Sequence, residues 1–259
     1  MKTIILHKGE RSGPERIRDF VWQHFLLLVS LFFLSFGVAL CVRSDMGSSV
    51  ISSAPYVFTL AGEGGMVPSF TLGMYTNFLN VLLVVGQIVT LRKKFQPIQL
   101  LQLAVGIVFG VLIDISMYLT SFMNCDTLIY QLGFMIVGAT VMAFGVSLEM
   151  RCASITMPGE GLPAAIAKAT GKSFPSVKIW VDIILVGLAI VFEFIFFGEW
   201  IWKIVGVGTL FAMIYCGMAV KFISARIGWF DNLLGYQPGF RRYIYGLERF
   251  IQKKIGHNS

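Results

Sequence analysis

Six apolar runs constrain this chain more than any other feature: Phe20–Val42, Phe70–Leu91, Ile98–Leu119, Leu128–Met150, Phe174–Phe197 and Trp200–Phe222. Crossing ~30 Å of hydrocarbon at 1.5 Å per residue takes about 20 residues. Lipid offers no partner to a bare N–H or C=O group, so such runs must be helices, and the expected class is all-α. Composition agrees. The chain is 56% hydrophobic and only 14% charged, where soluble domains carry ~25% charged residues. Mean hydropathy is +0.76.

Two further stretches, Ser48–Leu60 and Pro158–Lys168, lean apolar but are short. About 13 residues of helix reach ~20 Å, too little to cross. They are read as re-entrant or interfacial half-helices. The basic residues then sort by side. Lys2, Lys8, Arg11, Arg16, Arg18, the run Arg92-Lys93-Lys94, Lys168, Lys172 and the basic C-terminus all fall on one side of six spans. Loops Thr120–Thr127 and Phe197–Glu199 carry no Lys or Arg. The positive-inside rule therefore predicts both termini in the cytoplasm. The expected layout is a cytoplasmic segment (1–19), a membrane domain (20–225) and a cytoplasmic tail (226–259). The first ~19 residues run into a long apolar span without an Ala-x-Ala site, so the first helix is expected to be retained. In the tail, Phe240–Ile255 places Tyr243, Ile244, Leu247, Phe250 and Ile251 on one face and most of its basic residues on the other. That pattern predicts an interfacial amphipathic helix on anionic lipid.

The membrane domain repeats itself. Phe36-Gly37-Val38-Ala39-Leu40-Cys41-Val42-Arg43 matches Phe144-Gly145-Val146-Ser147-Leu148-Glu149-Met150-Arg151 at an offset of 108 (151 − 43), which also pairs Pro55 with Pro163. An offset of 102 (182 − 80) pairs Asn80 with Asp182, and one of 100 pairs Val105-Gly106-Ile107 with Val205-Gly206-Val207. Two copies of about 20–120 and 128–225 result. Three spans per copy is odd, so the second copy inserts upside down. The expected fold is six transmembrane helices in two inverted three-helix repeats, each with a short half-helix, an architecture common among transporters.

Candidate site residues cluster at the half-helix starts and in mid-span. Arg43, Ser48 and Ser49 precede the first half-helix; Arg151, Thr156 and Glu160 surround the start of the second. Ser48 and Thr156 suit an N-cap, and Pro158 suits a first turn. A helix N-terminus beside an arginine suits an anion or carboxylate. The same arginines also read as helix-end residues that snorkel to the interface. Asn80, Asp114 and Asp182 lie within spans, where a charge is costly and either pairs or functions. Lys178, one turn before Asp182, is the candidate partner. Gly106, Gly110, Gly133, Gly138, Gly145, Gly206, Gly208 and Gly217 read as helix-packing positions.

Other chemistries lack their signatures. His7, His24 and His257 form no HExxH or cluster, and no GxSxG elbow, Walker motif or dinucleotide fingerprint occurs. Cys41, Cys125, Cys152 and Cys216 lack CxxC spacing, implying neither disulfides nor zinc. A net charge of +7 resides at termini and loops, without the aromatic-basic platform of a nucleic-acid binder. No enzyme activity, cofactor or metal is expected.

Gly37-Val38-Ala39-Leu40, Met46-Gly47-Ser48-Ser49, Pro55 and Gly206-Val207-Gly208-Thr209-Leu210 together resemble the YczE/YitT-like group of bacterial integral membrane proteins, across about residues 25–225. The resemblance implies a multi-pass protein of a bacterial inner membrane and carries over no binding residues. The expected function is a secondary transporter or facilitator of a small polar, anionic solute. The alternative is a non-transporting scaffold or accessory subunit. Expected partners are the solute, anionic lipids at the C-terminal helix and a second copy in a homo-oligomer, but not nucleic acid.

Overall fold

The computed structural model describes residues 13–123, 125–152 and 157–233. Among them are nine α-helices and no strand: α1 (Gly13–Arg43), α2 (Val50–Glu63), α3 (Leu72–Leu91), α4 (Leu101–Leu119), α5 (Leu128–Cys152), α6 (Pro158–Thr170), α7 (Phe174–Phe197), α8 (Val207–Ser224) and α9 (Gly228–Leu233). Six are long and apolar enough to cross a membrane: α1 from Val21 onward, α3, α4, α5, α7 and α8. The chain is a multi-pass helical membrane protein. The predicted amphipathic helix at Phe240–Ile255 lies outside the described residues.

Helices α2 (14 residues) and α6 (13 residues) reach only about 20 Å, as the sequence predicted. The last span differs. Trp200–Val205 belongs to a connection, and α8 begins at Val207. Gly198 ends α7 in the left-handed conformation (φ +73°). Glu193 then accepts from the Ile201 N–H (3.1 Å), and the Trp200 indole donates to the Val205 carbonyl (2.7 Å). These bonds fold an apolar segment back on itself, which hydropathy alone reads as more helix.

Antiparallel α1 and α5 form the central pair. An added Cβ on Gly37 would lie 2.4 Å from the Met142 backbone N, and one on Gly145 would lie 2.4 Å from the Leu34 backbone N. Both pairs share the offset of 108, so the contact is reciprocal: residue 37 meets 142 as 145 meets 34. Glycine permits this backbone approach, and close packing is the main attraction between helices in lipid. The remaining helices pair off around this core. α1 packs on α4 and α5 on α8; α2 on α3 and α6 on α7; α2 on α7 and α6 on α3.

The glycines divide accordingly. Gly106, Gly110, Gly138, Gly145, Gly206 and Gly208 each sit where a Cβ would come within about 3 Å of a neighbour, whereas Gly133 and Gly217 face open space. The sequence match of Gly106 with Gly206 does not hold in space. Gly106 lies inside α4, while Gly206 is the residue before α8.

Candidate functional site

The two half-helices converge inside the bundle. Ile51, in the first turn of α2, reaches Gly159 in the first turn of α6; a Cβ on Gly159 would lie 2.4 Å from Ile51 Cδ1. Leu83, Val177, Val181 and Leu185 close around this junction with Val50, Ile51 and Leu162. The chain reaches it by a bend after α1. Asp45 (φ +54°) and Gly47 (φ +123°) adopt left-handed backbone, which glycine alone adopts without strain. Ser48 then donates both its N–H (2.9 Å) and its hydroxyl (3.0 Å) to the Ile204 carbonyl. Gly208 N–H donates to the Met46 carbonyl (2.8 Å). The segments Met46–Ser49 and Gly206–Leu210, which carry the sequence resemblance, are thus in contact.

Polar groups surround the junction. Lys178 Nζ lies 2.7 Å from Asp182 Oδ1 on its own helix and 3.6 Å from Glu160 Oε1 on α6. Gln87 of α3 donates to Gln102 of α4 (3.1 Å). Both amides press on Gly161, where a Cβ would lie 2.4 Å from Gln102 Oε1 and 2.7 Å from Gln87 Nε2. Buried Glu149 accepts from the Met157 N–H (3.2 Å) at the start of α6. Glu149 thus already occupies the start of α6.

The candidate residues from sequence separate into two groups. Glu160 and Asp182 come together through Lys178. Ser49 is the N-cap of α2, but its side chain makes no cap hydrogen bond and instead meets the Ser52 hydroxyl (2.7 Å). Ser48, expected at that cap, is turned to Ile204. Asn80 sits one helix away, on α3 against Gly106 of α4. It is 2% exposed, and neither amide atom has a hydrogen-bond partner. Thr156 lies outside the described residues. Met157, not Thr156, takes the N-cap position of α6.

The arginines stand apart, at opposite ends of the bundle. Arg43 Nη2 donates to the Met117 carbonyl (2.9 Å) in the last turn of α4, and Arg151 Nη2 to the Ser224 carbonyl (2.5 Å) in the last turn of α8. A cation beside the negative end of a helix dipole is stabilising, so each arginine ties the first helix of its half to the last. Asp114 works at the other pole of a dipole. It accepts from the Gly73 N–H (2.8 Å) and the Thr71 hydroxyl (2.7 Å) at the start of α3.

Gln87, Gln102 and Glu149 are not singled out by sequence. Their signal was a polar residue inside an apolar run, which window-averaged hydropathy dilutes. Glu193, which its place near the outer end of its span predicts to reach water, is instead fully buried because its carboxylate folds back onto the Ile201 N–H. Chemically, the junction offers hydrogen bonds, one ammonium and several carboxylates. Among the described residues no three His, Cys, Asp or Glu side chains group as metal ligands.

No curated protein and no solved structure matches the chain. A family of unknown function, DUF6198, matches residues 21–225, nearly the whole described membrane domain, and the chain belongs to that family.

Proposed function

We propose that this protein carries a small polar solute across a bacterial inner membrane by alternating access between two inverted repeats. The convergence of the α2 and α6 N-termini inside the bundle carries the reading. Half-helices ending at mid-depth are how transporters present backbone N–H groups and helix dipoles to a solute. The reciprocal α1–α5 contact between antiparallel helices supports a two-fold axis lying in the membrane plane. The paired packing of α2 on α7 and α6 on α3 supports the same axis. Neither helix end has a side-chain cap hydrogen bond, but Glu149 already stands at the start of α6, so the α2 end is the one left for a solute's negative group, with Lys178 as the nearby cation.

Purified protein in liposomes tests this with inorganic phosphate, small monocarboxylates and zwitterionic amino acids as probes. Saturable flux of one probe, abolished when Ile51→Trp fills the junction, is the expected result. No flux of any probe, with cysteines across Ser48–Leu60 inert to small aqueous reagents, would replace the transporter with a non-transporting scaffold. Orientation has its own test. Lys94→Cys should label only from the cytoplasm and Phe122→Cys only from outside. The reverse result for Lys94→Cys would remove the inverted arrangement.

A further inference from the structure

One helix pair breaks the correspondence between the two halves. Asn80 and Asp182 are each the ninth residue of their helix (72 to 80, 174 to 182), after the hydroxyl N-caps Thr71 and Ser173. The arginine anchors at Met117 and Ser224 set α4 against α8 at an offset of 107 (224 − 117). That offset equates Phe109 with Cys216 and Gly110 with Gly217. Every packed pair described above then has its counterpart, with one exception. α3 packs closely on α4, whereas α7 and α8 make at most marginal contact with each other.

The α3–α4 seam is shut along its length. A Cβ on Gly73 would strike the Gly110 carbonyl, one on Gly110 the Asn77 amide (2.5 Å), and one on Gly106 the Asn80 amide (3.0 Å). At the matching places of the other half, Phe109 is fully buried but Cys216 is not, and Gly217 has nothing within 4 Å. Lys178 of α7 and Glu160 of α6 keep 27% and 34% of their side-chain surface. α7 and α8 are joined by the connection at the Arg43 end, so the cleft between them faces the Arg151 end.

We infer that α7 and α8 are the two sides of a gate, open here toward the Arg151 end, and that the other state closes α7 on α8 while α3 parts from α4. The inference rests on the transport reading and names where the solute enters and leaves. The shut seam holds its own reason to open. Both Asn80 amide atoms and Asn77 Oδ1 are buried without partners, which is unfavourable until water or a solute reaches them. Two near-equivalent halves in different arrangements can exchange arrangements at little net cost, and this is how inverted repeats give access to each side in turn. Asp182 is then approached from one side of the membrane and Asn80 from the other.

The test uses the full chain in liposomes with its four native cysteines replaced by alanine. Ile179→Cys with Gly217→Cys places a pair across the cleft at positions equivalent to Asn77 and Gly110. Mild oxidation should join them by trapping the other state. In the same chain carrying Asn80→Cys, that bond should raise maleimide labelling of position 80 about tenfold, as expected where the exposed population grows from a few per cent to most of the protein. Asn77→Cys with Gly110→Cys is the control for the shut seam and should cross-link at once. If that control fails to fold, protection of Asn80→Cys alone serves instead. A folded protein whose α7–α8 pair never joins would overturn the gate and leave that face to lipid or a second chain. A pair that joins without exposing position 80 would overturn it too. No solute is needed, so the cross-linking result is read separately from any flux. Flux without gate exchange keeps transport and removes the gate; gate exchange without flux does the reverse.

Discussion

Alanine at Gly37 and alanine at Gly145 should damage the protein to a similar degree, and together by less than the sum. At both positions the new Cβ would lie 2.4 Å from the backbone nitrogen of the facing helix. Backbone cannot rotate away as a side-chain tip can, so α1 and α5 must separate by about 1 Å for ordinary contact, normally near 3.5 Å. Overpacking of this kind costs about 1–3 kcal/mol. Helix propensity returns up to about 1 kcal/mol, since alanine is the better helix former. A net loss of about 1–2 kcal/mol per site is expected. Once the helices have moved apart for one methyl group, the second finds part of its space made. Neighbouring sites couple by about 0.5–3 kcal/mol. Gly133→Ala and Gly217→Ala are the controls, because nothing lies within 4 Å of either added Cβ; they should be neutral or slightly stabilising. Thermal unfolding in detergent, followed by the fraction eluting as a monodisperse peak, reads all five variants. Equal melting temperatures for Gly37→Ala and Gly217→Ala would refute the close approach. A full loss at Gly37 with none at Gly145 would refute its reciprocity.

Lys178→Met should lower expression and melting temperature more than Asp182→Asn, because it leaves Asp182, 9% exposed, without its cation, while Glu160 still holds Lys178 in the second variant. Removing one partner of a buried pair costs up to about 3–5 kcal/mol, less here because Lys178 is 27% exposed, and the double variant should recover most of it; a more damaging Asp182→Asn would contradict this. Arg43→Ala and Arg151→Ala should each cost about 1.5–3 kcal/mol, the range for a hydrogen bond to a charged group, read as melting temperature with no change in solute preference; altered preference with normal stability would return them to the solute site. Gly161→Ala should destabilise by pressing on Gln102 Oε1 and Gln87 Nε2, and Gln102→Ala should relieve part of the loss; failure of that relief would show that the glycine serves another contact.

Sequence alone determined the elements that depend on local length and polarity. A run of about 20 apolar residues can only be a helix in lipid, so five of the six spans fall within a few residues of their predicted limits. The half-helices were legible because 13 or 14 residues cannot cross, and Pro55 and Pro163 mark the same sixth place in each. Asn80 and Asp182, paired in the sequence at an offset of 102, are each the ninth residue of their helix. Tertiary structure decided whatever depends on a distant partner. Hydropathy could not show that Glu193 and Trp200 fold Trp200–Val205 into a connection. Nor could it show that Gly206 stands outside its helix while Gly106 stands within. The arginines read alike in sequence, as anion ligands or helix-end anchors, and only the tertiary structure shows that they reach the Met117 and Ser224 carbonyls. The site formed the same way. Lys178 and Asp182 are neighbours on one helical face and could be read together, but Glu160, Gln87, Gln102 and Glu149 join them from four other helices. A polar residue in an apolar run states that it needs a partner, and the packing of helices selects which one.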